Sequence, residues 1–148
     1  LLNITTIGEN ACDSCVSLVT VVVPEGIESI GEDAFYLCTS LLNVTFPKSL
    51  KSIGYGALIN CTSIEAMDLS HTLLNSIGEY AFWNCSELKS LKLPSSVQSA
   101  GVNAFIYCSK LVPSTISAVN ADTTPILAFL HKPQSERDAL MLANPPID

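Results

Sequence analysis

The chain has 148 residues, 48% of them apolar, which is enough to build one domain around a hydrophobic core. Its formal net charge of −7 argues against the basic face that nucleic-acid binding requires, and against docking on an anionic membrane surface. No uninterrupted apolar run approaches the ~18 residues of a membrane span. We therefore expect a folded domain with no nucleic-acid partner and no membrane insertion.

An internal repeat runs through the first three quarters of the chain. An apolar residue followed by glycine, usually Ile-Gly, recurs in steps of 23, 23, 24 and 23 residues; the glycines are Gly8, Gly31, Gly54, Gly78 and Gly101. Alanine follows three residues after each glycine, and cysteine follows seven after it. A fixed period of this length is typical of solenoid proteins, in which each unit packs only on its neighbours.

Each unit contains the same predicted elements. Leu18, Val21 and Val23 occupy inward positions of a β-branched segment, which predicts a strand, and the next three units repeat the pattern. A turn follows, and the extra residue of the third unit falls in it at Leu73–Leu74. The Ala-Phe-x-x-Cys segment then places apolar side chains at i, i+1 and i+4, which predicts a short helical turn. Stacked units would pair their strands into a parallel sheet, with helical turns on the opposite face, as in α/β layering.

Residues 77–94 read IGEYAFWNCSELKSLKLP, and this pattern resembles the BspA-like leucine-rich repeat family. The resemblance covers Ile4 to Pro113. The chain departs from the family pattern at Cys12 and Leu58, where phenylalanine is preferred, and at Ala100, where isoleucine is usual. The resemblance implies a right-handed, curved leucine-rich-repeat solenoid and a role in recognising proteins or surfaces, without naming a partner.

We divide the chain into a solenoid over residues 1–113 and a C-terminal segment over residues 114–148. Residues 1–7 match the tail of a unit in register, so we expect further repeats before Leu1. Residues 114–124 read as a loop. Two short helices are predicted after it, one following Thr124–Pro125 and one from Ser135 to about Asn144. They form either a cap on the solenoid or a linker.

The six cysteines predict a structural role. The five periodic cysteines are expected to form a buried ladder of reduced thiols: Cys15, Cys38, Cys61, Cys85 and Cys108. Cys12 and Cys15 have C-x-x-C spacing, but Cys12 occupies the phenylalanine position and is expected in the core. No second C-x-x-C or paired histidine supports a zinc site. Reduced thiols favour an intracellular location, whereas the family resemblance permits the cell surface.

No catalytic residue, metal ligand or cofactor is predicted. The two histidines, His71 and His131, are read as ordinary surface residues, and the sequence contains no nucleophile elbow, phosphate-binding loop or zinc-protease motif. We therefore expect a protein that is not an enzyme.

Two surfaces are candidates for recognition. The first is the outward face of the predicted sheet, which is small and polar: Thr20, Val22, Asn43, Thr45, Ala66, Asp68, Ser90 and Lys92. The second is an outer apolar stripe, placed about 150° from the buried side by helical geometry: Tyr36, Ile59, Trp83 and Ile106. The alternative for the stripe is that the loops tuck these side chains against neighbouring units.

The predicted function is a protein-binding scaffold whose partner is an unidentified protein, with self-association as one form. The alternatives are a structural spacer within a longer repeat array, or a fragment of a surface adhesin.

Overall fold

The computed structural model describes residues 3–101, 103–112, 116–118, 132 and 134–143. Within these residues the chain winds into a solenoid, and each complete unit contributes one short strand to each of two parallel ladders. The units stack side by side, so that residues one repeat apart lie next to each other.

The first ladder consists of two-residue strands that directly precede the repeat glycines. Its five strands are β1 (Thr6–Ile7), β3 (Ser29–Ile30), β5 (Ser52–Ile53), β7 (Ser76–Ile77) and β9 (Ser99–Ala100). They pair in parallel in the order β1-β3-β5-β7-β9. These residues fall in the turn that the sequence predicts, so the first ladder is absent from the prediction.

The second ladder contains the strands that the sequence predicts. They are β2 (Thr20–Val22), β4 (Asn43–Thr45), β6 (Ala66–Asp68), β8 (Ser90–Leu93) and β10 (Ile116–Ala118). The strand β2 pairs with β4, while β8 pairs with both β6 and β10, all in parallel. Strands β4 and β6 contact each other, so the two parts of this ladder form one side of the solenoid.

The strand β10 lies inside the segment that was predicted to be a loop, and the loop prediction is wrong at residues 116–118. Ile116 pairs with Leu91, a step of 25 residues rather than the usual 23. Two added residues therefore move β10 out of the register in which the repeat was found. The division at residue 113 stays a prediction.

A single helix, α1 (Gln134–Ala143), is described in the C-terminal segment, and it confirms the second predicted helix. Its Leu140 packs against the hydrophobic core, as a cap on the solenoid would require. The first predicted helix, after Thr124–Pro125, lies outside the described residues.

The Ala-Phe-x-x-Cys segments are runs of tight turns, not the short helical turns predicted. In the second unit, the N–H groups of Ala34 and Cys38 bond to the carbonyls three residues earlier, at 3.3 Å. The N–H group of Phe35 instead bonds to Ala57 of the next unit, at 2.8 Å. Left-handed residues two and six positions after the glycine, such as Asp33 and Leu37, interrupt any helix. Hydrogen bonds between units thus replace those within a helix.

The core lies between the two ladders and the turns, and it is continuous through the stack. It contains the alanine, phenylalanine or leucine, and cysteine of the repeat, for example Ala81, Phe82 and Cys85, each of them 0% exposed. Phe82 and Phe105 of neighbouring units stack with ring centroids 5.0 Å apart. No unit could bury these side chains alone, so the stability of the fold depends on stacking.

The repeat glycines are required because neighbouring units approach closely. A Cβ atom on Gly78 would lie 2.6 Å from the backbone nitrogen of Tyr55, closer than real contacts allow. At Gly8 a Cβ would meet nothing within 4 Å. The glycine therefore acts by allowing contact with the preceding unit more than by allowing an unusual backbone angle.

Candidate interaction surface

The outward side chains of the second ladder are exposed, and we call this surface the sheet face. Thr20, Val22, Asn43, Thr45, Ala66, Asp68 and Lys92 are exposed, and Ser90 is half-buried. Parallel pairing aligns them in rows, with Val22 opposite Thr45 and Asp68 opposite Lys92. The strands thus place these eight residues on one surface, as the sequence predicts; a binding role for them stays a prediction.

The part of the sheet face in the first two units is aliphatic, and we call Val19, Val22 and Leu42 the aliphatic region. Val22 is 71% exposed, and Val19 and Leu42 are 46% and 47% exposed. The Leu42 N–H donates to the Val19 carbonyl at 2.8 Å, so the two residues are direct neighbours across the ladder. None of the outward sheet positions in these two units carries a charge.

The next two units carry charges at the equivalent positions, and these charges form ion pairs. Lys89 Nζ lies 3.2 Å from a Glu65 carboxylate oxygen, and Lys92 Nζ lies 3.9 Å from Asp68. Asp68 also accepts hydrogen bonds from the Ser70 hydroxyl at 2.6 Å and the Ser70 backbone N–H at 3.0 Å. These hydrogen bonds, with a smaller contribution from Lys92, lower the pKa of Asp68. This half of the face is well solvated and its charges already have partners.

The predicted outer apolar stripe is wrong, because three of its four residues belong to the core. Ile59, Trp83 and Ile106 are each 1% exposed, and Tyr36 is half-buried. The prediction assumed that these side chains project from an α-helix. The segment is instead a run of tight turns with positive-φ residues, so helical geometry does not give the side-chain directions. The alternative that they tuck against neighbouring units is what the structure shows.

Tyrosines cover the residues that were predicted to be outermost. The ring of Tyr80 lies 4.9 Å from that of Trp83, and the ring of Tyr107 lies 5.4 Å from it on the next unit. Tyr55 lies 5.3 Å from Tyr80 and is 42% exposed. Burial raises the pKa of Tyr55, with smaller contributions from Tyr80 and nearby acidic groups. No repeated sequence position marks these tyrosines, because each occupies a different position within its unit.

The predicted thiol ladder holds for four of its five cysteines. Cys38, Cys61, Cys85 and Cys108 are buried, and each thiol donates to a carbonyl of the preceding unit at 3.1–3.4 Å. Burial raises the pKa of Cys38 to about 11 and raises that of Cys61 further. Hydrogen bonding with Cys108, together with burial, raises the pKa of Cys85.

Cys15 departs from this ladder, because its side chain is exposed. Cys12, which was expected in the core, is half-buried and packs against its edge. The end of the solenoid formed by the first unit is therefore less covered than the rest. All six cysteines are free thiols.

Two other polar groups are notable. The Nε2 atom of His71 lies 2.8 Å from the carbonyl oxygen of Phe46, so this exposed histidine is fixed to the neighbouring unit. Among the described residues, the buried Oδ1 atom of Asp33 has no hydrogen-bond partner. Burial, and then repulsion from Glu32, Asp13 and Glu9, raises the pKa of Asp33. His131 lies outside the described residues.

The described residues contain no group of three or more histidine, cysteine, aspartate or glutamate side chains arranged to hold a metal ion. Within the same residues, no helix is long and apolar enough to span a membrane.

Stacked parallel strands, tight turns and a repeated Leu-x-x-Leu-x-Leu segment define a leucine-rich-repeat solenoid. The model of the BspA-type leucine-rich repeat region matches residues 5–129, with six copies. The chain therefore belongs to the BspA-type leucine-rich repeat family, and the match extends past Pro113 through β10. A search of curated proteins finds no match.

Three solved bacterial structures are similar to the chain. A leucine-rich repeat protein of T. pallidum is 33% identical with a TM-score of 0.69, and the match covers 74% of this chain and 50% of that one. A leucine-rich cell surface protein of Faecalibacterium prausnitzii is 27% identical with a TM-score of 0.74, over 83% of this chain and 32% of that one. A leucine-rich repeat protein of Bacteroides ovatus is 28% identical with a TM-score of 0.68, over 79% and 29%. The chain thus spans half or less of the length of these proteins.

Proposed function

We propose that this chain is a protein-binding scaffold whose partner contacts the aliphatic region of the sheet face. The observation that carries the proposal is the exposure of Val22, Val19 and Leu42 on neighbouring units, with no charge at the outward sheet positions around them. Clustered apolar exposure marks interaction sites on soluble proteins, and the centres of protein interfaces are depleted of charge.

The contrast along the sheet face supports this choice of surface. The same unit position is Val19 and Leu42 in the first two units, but Glu65 and Lys89 in the next two. The repeat therefore does not require an apolar side chain at this position. The core does not require one either, because the side chains of Val19 and Leu42 are exposed and lie outside it. The ion pair between Lys89 and Glu65 gives the second half of the face partners of its own.

A non-catalytic role agrees with the family and with the chemistry of the exposed groups. Leucine-rich repeat proteins are generally interaction or surface scaffolds, and the F. prausnitzii relative is described as a cell surface protein. The Nε2 atom of His71 contacts the backbone carbonyl oxygen of Phe46, which is not a nucleophilic side chain that a catalytic base could activate. A surface of exposed strand residues that runs across several units suits many contacts with a protein better than it suits enclosing a small substrate.

A site-specific photo-crosslinker tests the proposal. The crosslinking residue replaces Val22 in one variant and Lys92 in a second, which lies in the same row of the sheet face. We expect a discrete protein adduct from the source organism's extract at position 22 and none at position 92. Val19→Asp in the first variant should abolish the adduct, whereas the matched change Val112→Asp, at the same unit position and 38% exposed, should not.

Three results would contradict the proposal: no adduct at position 22, equal adducts at both positions, or equal loss with Val19→Asp and Val112→Asp. Absence of any adduct on the sheet face would instead favour a structural spacer. Circular dichroism of each variant shows that the solenoid is still folded.

A further inference from the structure

The first unit differs from all other described units in having a sulfur at both ends of one tight turn. The residue four positions after the repeat glycine is Cys12 here and Phe35, Leu58, Phe82 or Phe105 elsewhere. Cysteine follows three residues later in every unit. Only this turn therefore contains two thiols, and only this unit leaves one of them, Cys15, exposed.

The turn holds the two cysteines at a separation suitable for a disulfide. The Cys15 N–H donates to the Cys12 carbonyl at 3.3 Å, and Ser14 at the third position has a φ of 59°. Such a four-residue turn keeps its end Cα atoms within ~7 Å, and disulfides span ~4.4–6.8 Å. The Cys15 side chain is also within hydrogen-bonding reach of the Cys12 thiol.

The repeat makes this turn rigid. The equivalent hydrogen bonds, from Cys38 to Phe35, Cys61 to Leu58 and Cys85 to Phe82, are 3.2–3.3 Å long. Cys12 and Ser14 also donate their N–H groups to Ala34 and Tyr36 of the second unit, at 2.7 and 2.6 Å. The neighbouring unit thus fixes both the start and the middle of the turn.

The other thiols are poor competitors for an oxidant. The nearest is Cys38, whose thiol donates to the Cys12 carbonyl at 3.1 Å and whose side chain is fully buried. Burial favours the protonated form of Cys38 and raises the pKa of this thiol, against a smaller lowering by a backbone hydrogen bond from Cys15, and the thiolate is the form that reacts.

We propose that Cys12 and Cys15 form a redox couple that closes to an intramolecular disulfide at the first unit of the solenoid, with a small-molecule disulfide such as oxidised glutathione as oxidant. The exposed Cys15 thiolate attacks one sulfur of the glutathione disulfide, and the released glutathione thiolate takes up the proton that Cys15 lost. The Cys12 thiol then loses its proton and attacks the Cys15 sulfur, expelling the second glutathione. This second glutathione takes up the proton that Cys12 lost. In total the protein loses two protons and two electrons, and one glutathione disulfide gains them and becomes two thiols.

The test is equilibration of the native chain in glutathione buffers, followed by acid quench, alkylation after unfolding, and digestion after glutamate. Cleavage after Glu9, Glu25, Glu32 and Glu65 separates Cys12 and Cys15, on peptide 10–25, from Cys38 and Cys61, on peptide 33–65. We expect peptide 10–25 to lose two hydrogen masses and both alkylation sites, while peptide 33–65 is fully alkylated. Cys12→Ser should instead trap glutathione on Cys15.

Comparison with the unfolded chain in urea shows whether the fold assists closure. The native chain is expected to close at a lower ratio of oxidised to reduced glutathione than the unfolded chain. The proposal is overturned by two alkylated cysteines on peptide 10–25 in oxidising buffer, by a disulfide joining it to peptide 33–65, by dimers through Cys15, or by equal ratios for the native and unfolded chains.

Discussion

Replacement of Trp83 by alanine should strongly destabilise the solenoid, although helical geometry would place this residue outermost. Trp83 is 1% exposed and lies between Tyr80 and Tyr107 of two units. A buried tryptophan removes roughly 150–250 Å² from water, worth roughly 4–6 kcal/mol at about 25 cal/mol per Å². Tryptophan truncations in cores cost about 3–5 kcal/mol, and we expect Trp83→Ala to fall in that range.

The assay is denaturant unfolding followed by far-ultraviolet circular dichroism, because Trp83 is the chain's single tryptophan and the variant has no indole signal. For a chain of this length, the expected loss lowers Tm by roughly 6–20 °C. Trp83→Phe is the matched control. It keeps a ring against Tyr80 and removes an indole N–H that has no partner among the described residues, so its cost should be less than half as large.

Fluorescence of the wild-type chain gives an independent check. A buried indole emits at short wavelength and resists quenching by acrylamide in the folded state. A cost below about 1 kcal/mol for Trp83→Ala, with emission typical of an indole in water, would refute the packing derived above and restore Trp83 to the surface.

Close packing between units and the buried titratable groups can be tested at three other residues, Gly78, Cys38 and Asp33. Gly78→Ala should lose roughly 2 kcal/mol or more in denaturant unfolding, since its Cβ would overlap the backbone of Tyr55, whereas Gly8→Ala should lose far less; equal losses would contradict close packing between units. Raising the pH from about 9, the ordinary pKa of cysteine, to about 11, the pKa of Cys38 in the folded chain, should destabilise the fold, because the thiol ionises first in the unfolded chain. Cys38→Ala should show a smaller fall in Tm over this pH range. An identical fall would exclude Cys38 as a cause. Asp33→Asn should raise Tm at pH 7, because the folded state raises the pKa of Asp33 and so disfavours its charged form. The gain in Tm should vanish below pH 3.8, the ordinary pKa of the group, where the carboxyl is protonated in both states. A gain in Tm that is independent of pH would show that the backbone, and not the charge, is the cause.

The sequence predicts the first four strands of the second ladder well because the same apolar positions recur in each unit, and because β2 and β4 are also rich in β-branched residues. In β2, Val21 faces inward between the exposed Thr20 and Val22. In β4, Val44 faces inward between the exposed Asn43 and Thr45. The first ladder could not be read in the same way, since a two-residue strand such as Ser29–Ile30 has no periodicity. Its signal in the sequence is the repeated Ser-Ile before glycine, which lies in the predicted turn.

The turns were misread because apolar residues at i, i+1 and i+4 fit both a helical turn and a run of tight turns. Residue types at the left-handed positions carry the distinguishing signal. Asn10 and Gly56 lie two positions after the repeat glycine, and Asn60 and Asn84 lie six positions after it. Glycine and asparagine tolerate positive φ, so these positions indicate turns. Leu37 and Tyr107 at the same place hide the signal in other units.

The same comparison between units explains why a binding surface is better sought on the sheet face than over the turns. Trp83, Ile59 and Ile106 share one unit position, and all three are apolar because the core requires it. Val22, Thr45, Asp68 and Lys92 also share one position, yet they range from aliphatic to cationic because no packing constraint acts on them. An apolar residue that is buried in the core is explained by folding alone. Val22 is also apolar, but it is 71% exposed and fills no position in the core. Packing therefore does not explain an apolar side chain at Val22, and this is the reason that we propose its surface, rather than the turns, as the contact for a protein partner.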